Sequence, residues 1–126
     1  MKILPLVTSF TLTCISITVH ASSPSNIAVY STEQSTGSIS IGNSAIYTKT
    51  FEVSLANLSS DKIDLSNLCL QAYSPNLKVF KLDTVDENLT SGTLIQHKPV
   101  KGIAIFSSDS NAVYNAHLVK ISTHCN

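Results

Sequence analysis

The stretch Tyr47-Thr48-Lys49-Thr50-Phe51-Glu52-Val53-Ser54-Leu55-Ala56 alternates in polarity. Tyr47, Phe51, Val53 and Leu55 share one parity, while Thr48, Thr50, Glu52 and Ser54 share the other. Successive side chains of a strand point to opposite faces, so this pattern describes a half-buried β-strand. Lys49 alone breaks it. The run ends at Asn57, and the polar Asn57-Leu58-Ser59-Ser60-Asp61-Lys62 that follows reads as a turn.

Working outward, the same period recurs. Asn26 to Ser31 places Ile27 and Val29 on one face, and Ser38 to Gly42 places Ile39 and Ile41 together. Ile63-Asp64-Leu65 is a short apolar hook. Leu68 to Tyr73 is a strand stopped by Ser74-Pro75-Asn76, and Leu77 to Leu82 resumes beyond it, which predicts a hairpin. In Leu68 to Tyr73 either parity, Leu68/Leu70/Ala72 or Cys69/Gln71/Tyr73, suits a core, so the burial of Cys69 stays open. Ile103-Ala104-Ile105-Phe106 is apolar on both faces, as a central strand would be. Ala116 to Thr123 closes the chain with Val119 and Ile121 inward. Asp83 to Gly92 lacks strand pattern, and Asp83-Thr84-Val85-Asp86-Glu87 predicts one helical turn capped by Asp83. No twelve-residue stretch keeps a helical period. Seven to eight short strands without a helix predict an all-β fold, a single antiparallel β-sandwich.

The N-terminus carries an address. Met1-Lys2 leads into an apolar run from Ile3 to Val19 and a small-residue site at Val19-His20-Ala21. This is the layout of a secretory signal peptide over residues 1–21, leaving a domain over 22–126. Pro5 and the many Ser and Thr residues make the run too polar for a membrane span. Cys14 lies inside the run, without the small residue before it that lipidation wants, and leaves with the signal. Cys69 and Cys125 remain, and an even count in an exported chain predicts a disulfide. The long loop between them implies roughly 4 kcal/mol of stabilisation on the chain-entropy account. Localisation is then periplasmic or secreted.

Three stretches together resemble a known group. They are Tyr47-Thr48-Lys49-Thr50-Phe51-Glu52-Val53 running on to Asn57, Asp64-Leu65-Ser66-Asn67-Leu68-Cys69, and Val100-Lys101-Gly102-Ile103-Ala104-Ile105-Phe106-Ser107-Ser108. In this order they resemble small exported bacterial domains with an immunoglobulin-like β-sandwich. The chain looks most like a family of short periplasmic or secreted proteins of unknown function that share the late Cys. The resemblance spans roughly Val29 to Cys125 and rests on turn and core positions, so it implies a fold and carries no catalytic or binding residue over. One departure from antibody-type domains is the lack of Trp, and Cys125 at the chain end does not imply their usual inter-sheet bridge.

Composition excludes several functions. Lys+Arg and Asp+Glu both number 8, charged residues make up 13%, and every cation is Lys. Without Arg or Trp the chain lacks the best bidentate grip on phosphate, so no nucleic-acid partner is expected. Apolar residues at 43% exclude disorder. No Gly-x-Ser-x-Gly elbow is present, and His117 and His124, seven apart, point to opposite faces of one strand. The acids Asp83, Asp86, Glu87 and Asp109 lack the alternation of a calcium loop. Catalytic residues, metals and cofactors are therefore all expected to be none. Asn57-Leu58-Ser59 and Asn88-Leu89-Thr90 match glycosylation sequons by chance.

The expected function is an exported, non-catalytic binding or interaction module of the bacterial envelope. Its partner would be an unknown protein or small ligand, with no membrane span after cleavage and a monomeric or weakly homodimeric state. Its candidate loops are Asp83 to Gly92 and Ser107 to Asn115, through Asp83, Asp86, Glu87, Asp109, Asn111 and Tyr114. The alternative is a fibre or adhesion subunit that donates the polar segment Ser22 to Gly37 as a strand, and an enzyme comes third.

Overall fold

The computed structural model describes residues 24–125. The expected signal peptide, its cleavage site and Cys14 lie outside the described residues. Among the described residues no helix is long and apolar enough to cross a membrane.

Eight strands follow in chain order: β1 (Ile27–Ile41), β2 (Ser44–Asn57), β3 (Ile63–Asp64), β4 (Cys69–Tyr73), β5 (Val79–Val85), β6 (Thr93–Leu94), β7 (Val100–Ser108) and β8 (Leu118–Ser122). Three short 3-10 turns interrupt them, at Leu65–Asn67, Glu87–Leu89 and Asn111–Asn115. All pairing between strands is antiparallel. Six strands run in the order β1-β2-β7-β5-β4-β8, and β3 pairs with β6 apart from them. The fold is thus an antiparallel β-sandwich, as the alternation predicts, with one disulfide among the described residues, as the cysteine count predicts.

The sandwich closes because β5 changes partner. Its first residues pair with β4 through Ala72↔Phe80 and Tyr73↔Val79, and its remainder pairs with β7 from Lys81↔Ser107 onward. A strand that switches partner turns the corner between two layers. Phe51, Val53 and Leu55 of β2, with Ala104 and Phe106 of β7, then face Leu70 and Ala72 of β4, Val119 and Ile121 of β8, and Phe80 of β5. Phe51 and Phe106 meet edge to face at 5.8 Å between ring centroids, a contact worth about 1 kcal/mol beyond area burial. β7 is central as expected, flanked by β2 and β5. Its two parities differ: Ala104 and Phe106 are fully buried, while Ile103 and Ile105 are half-buried on the outer face.

The N-terminal expectation needs correction. The two short strands expected around Ile27 and Ile39 are one strand, β1, paired with β2 along its whole length. A bulge between Glu33 and Ser35 shifts the register by one residue. Such an insertion reverses which parity faces the core. Ile27 and Val29 therefore pack inward, whereas Ile39 and Ile41 face solvent. From Ile27 on, the segment expected to serve as a donor strand is already engaged in its own sheet.

The expected helical turn is also displaced. Asp83-Thr84-Val85 continue β5, with a bulge between Leu82 and Thr84, and the turn begins at Glu87 after Asp86. The side chain of Asp86 makes no cap bond. It accepts instead from the Ile103 N–H at 2.8 Å, while the Asp86 N–H donates to the Ile103 carbonyl at 2.9 Å. One carboxylate thus extends the β5–β7 ladder past the end of the strand. Gly102 makes room for this: a Cβ there would lie 2.9 Å from both the Asp86 Cβ and the Asn88 Oδ1.

Candidate functional site

Lys49, the residue that breaks the alternation, keeps its register and is buried. Its Nζ donates to the Tyr114 carbonyl at 2.9 Å and to the Ala116 carbonyl at 2.6 Å, and lies 2.5 Å from Glu33 Oε1. Buried polar groups need such partners, and here they tie β2 to the segment that leads into β8. Tyr114 completes the arrangement. Its ring stands edge-on to Tyr47 at 5.8 Å, and its hydroxyl donates to the Gly37 carbonyl at 3.0 Å. Tyr114 is thus anchored within the fold and half-buried.

The other loop candidates divide between the two ends of β7. Asp86 and Glu87 sit beside its first residues, where Asn88 Nδ2 also donates to the Lys101 carbonyl at 2.7 Å. Asp83 lies upstream in the bulge of β5, its carboxylate accepting from Thr84 Oγ1 at 3.0 Å. Asp109 and Asn111 follow the last residues of β7, at the far end. Asp83, Glu87, Asp109 and Asn111 are exposed, and the fold does not gather the two groups into one site. Among the described residues no three His, Cys, Asp or Glu side chains come together as a metal site would require. His117 is exposed, with Nδ1 3.2 Å from the Tyr73 carbonyl. Asn57 is buried: its Nδ2 donates to the Asp61 and Leu94 carbonyls, and its Oδ1 accepts from the Ser59 N–H and hydroxyl. That sequon asparagine fastens the end of β2 and offers no free amide.

Cys69 and Cys125 are bonded, with Cα atoms 5.6 Å apart. Leu70 and Ala72 take the core side of β4, so Cys69 lies on the outer face, half-buried, and Cys125 is exposed. Cys69 stands opposite Ser122 in the β4–β8 ladder. The bridge therefore staples the tail after β8 back onto the neighbouring strand, over a buried Ser122, rather than crossing between layers. Ser122 Oγ accepts from the His124 N–H at 3.0 Å, which holds that tail in place.

A cleft opens beside this staple. β4 pairs with β8 over all of Cys69–Tyr73, but with β5 only through Ala72 and Tyr73. Beyond that vertex β5 leaves for β7, and among the described residues Cys69, Leu70 and Gln71 have no strand partner on that side. The gap holds about 420 Å³, within the range of small-ligand sites. Leu70, Phe80 and Leu82 form its apolar floor, and Gln71, Lys81 and the disulfide form its rim. Gln71 is positioned by the Tyr73 hydroxyl, which donates to its Oε1 at 2.9 Å. Lys120 Nζ in turn sits 5.1 Å over the Tyr73 ring. A second hollow of about 330 Å³ lies past the β4–β5 turn, between Ser74, Lys78 and Phe80 on one side and Ala112 and Asn115 on the other. The alternation did not reveal the cleft, because it depends on where a ladder stops.

An all-antiparallel sandwich with one local disulfide and an open seam defines a small stapled β-sandwich domain. The chain belongs to the family described as a domain of unknown function (DUF4354), whose model matches residues 1–123. It is also similar to an ApaG protein from Pseudomonas aeruginosa PAO1, known from a crystal structure. The two are 42% identical, with a TM-score of 0.76 over 81% of this chain and 99% of that one. A search of curated proteins gave no match.

Proposed function

We propose that this protein is an exported, non-catalytic interaction module of the bacterial envelope and that it binds through the cleft between β4 and β5. The observation that carries the reading is the seam itself. It combines an apolar floor, a strand flank without a partner and two polar side chains at its rim. A few polar groups around an apolar concavity are what a recognition site requires. A strand flank without a ladder partner suits an extended chain, since main-chain hydrogen bonds supply affinity while side-chain pockets select. Lys81 at the rim favours a carboxylate on that chain.

Export is supported by the disulfide, which persists in oxidising compartments, and by the signal-like N-terminus. The test is capture of partners from an envelope fraction by the oxidised protein, with variants Lys81→Glu and Gln71→Lys compared against Asp109→Ala combined with Asn111→Ala. The reading requires that the rim variants lose the captured partner and the loop variant keeps it. The reverse pattern would move the surface to the far end of β7.

A further inference from the structure

A second surface stands out at the other side of the sheet. The β2–β7 ladder ends at Tyr47↔Ser108, so the β1–β2 hairpin projects beyond β7 from Ser38 to Ile46. Every β1 residue from Ser38 to Ile41 is exposed. Ile39 and Ile41, turned outward by the bulge, share a face with Ile46, and their exposures of 52%, 63% and 38% leave an apolar patch in solvent.

The backbone of this tip specifies what can pair with its edge. Ile41 and Ser44 flank a two-residue turn with Gly42 at φ 61, so they exchange hydrogen bonds. Alternation along the ladder then makes Ile39↔Ile46 and Gly37↔Thr48 bonded pairs as well. The N–H and C=O groups of Thr36, Ser38 and Ser40 must point away from β2. Among the described residues β1 has β2 as its single ladder partner. Exposed edges are ordinarily blocked by Lys, Pro or inward charge. Past the bulge at Gln34, itself such a device, none occurs: Ser35 through Thr48 contain no charged residue other than the buried Lys49's neighbours, and no Pro. The opposite edge strand, β8, carries Lys120 and ends at the disulfide staple.

We infer that this edge pairs with the same edge of a second copy. The pairing is antiparallel about a two-fold axis at Ser38, so that Thr36 of each copy faces Ser40 of the other. In that register each outward donor meets an outward acceptor, which is the self-complementarity a two-fold interface demands. A segment without charge brings no like-charge repulsion to its own image, and it offers no charge by which to select a different partner. The join places Ile39 and Ile41 of both copies on one face of a continuous sheet. A contact of one strand edge is small beside the ~1,600 Å² of a standard interface, so the dimer is weak and forms with concentration.

The test is sedimentation velocity on the oxidised protein from micromolar to millimolar concentration, with amide exchange followed residue by residue. The wild type should pass from monomer to dimer. Exchange at Thr36, Ser38 and Ser40 should slow about tenfold on association, while Ser35, Gly37 and Ile39 stay protected throughout. Ser38→Pro removes an outward donor without touching the β1–β2 ladder, and Ile39→Lys places an edge charge. Both should remain monomeric with an unchanged near-ultraviolet spectrum. A wild type that is monomeric at millimolar concentration overturns the inference. So does a dimer without the alternating protection, or binding of the wild-type tip to lipid vesicles as a monomer. The exchange pattern needs no variant, so it decides the matter even if a substitution unfolds the chain.

Discussion

Lys49 Nζ and Glu33 Oε1 lie 2.5 Å apart, with the lysine buried and the carboxylate half exposed. The same nitrogen holds two carbonyls of the segment leading into β8, and it lies 5.6 Å from the centroid of the Phe51 ring. The asymmetry in exposure assigns different weights to the two partners. Lys49→Met leaves two carbonyls without a donor, and urea unfolding should show a loss of about 2–4 kcal/mol. Glu33→Gln should cost about 1 kcal/mol or less, because solvent screens an exposed carboxylate. Equal losses from the two would contradict the assignment.

Gly102 and Asp86 form one unit. Gly102→Ala drives a methyl group against the Asp86 Cβ and the Asn88 Oδ1, and should cost about 1–3 kcal/mol. Asp86→Ala leaves the Ile103 N–H without its acceptor, and should cost about 1–3 kcal/mol. Asp86→Ala keeps the Cβ that the new methyl group meets and removes only the Oδ2 contact at 3.1 Å, so the double variant should cost close to the sum in a denaturant double-mutant cycle.

Leu77 has φ 67 and is exposed at the tip of the β4–β5 turn. The Ser74 N–H donates to the Lys78 carbonyl and the Leu77 N–H to the Ser74 carbonyl, closing a three-residue loop whose last position is left-handed. A bulky side chain is strained there. Leu77→Gly should raise thermal stability by about 0.5–1 kcal/mol. A loss of that size would show that the side chain makes contacts outweighing its strain.

Asp64 offers a pH signature. The Ser66 hydroxyl and N–H both donate to its carboxylate, which lowers its pKa below the ordinary 3.8. A depressed folded value means that this stabilisation is present above the unfolded pKa and is lost as pH falls through the folded one. Carbonyl-detected NMR should find Asp64 titrating below the ordinary carboxylate value. In Ser66→Ala its midpoint should rise toward the ordinary value.

Alternation was enough to find β2 and β8, because each buries one parity against the opposing layer, while β7 was found as a run apolar on both faces. The count of thiols left after the expected signal, and not alternation, placed Cys69 and Cys125 in a bond. The register of β1 was not legible. Ile27, Val29, Ile39 and Ile41 share a parity in sequence, and only the inserted residue near Gln34 separates the inward pair from the outward one. Lys49 read as an irregularity, although its partners Tyr114 and Ala116 lie far along the chain and pull it into the core. Asp86 read as a loop acid because nothing local shows that its carboxylate stands in for a strand residue. The cleft escaped for a related reason: it lies where β5 changes partner, a property of three strands together.

The disulfide bounds both the fold and the cleft. Its residues are 56 apart in sequence, so Cys69→Ser with Cys125→Ser should cost roughly 4 kcal/mol in denaturant unfolding. The strand core should survive, with a near-native far-ultraviolet spectrum. A change of less than about 1 kcal/mol would show that the β4–β8 ladder holds the tail without the bridge.

On the function proposed for it, this protein meets its partner at the seam between β4 and β5. A photoreactive amino acid placed at Lys81, and separately at Glu87 and at Asp109, tests it most directly in the intact envelope. The account predicts a discrete adduct from the Lys81 position that disappears when Leu82→Glu is added, with none from the other two. Adducts from Glu87 or Asp109 and silence at Lys81 would contradict it.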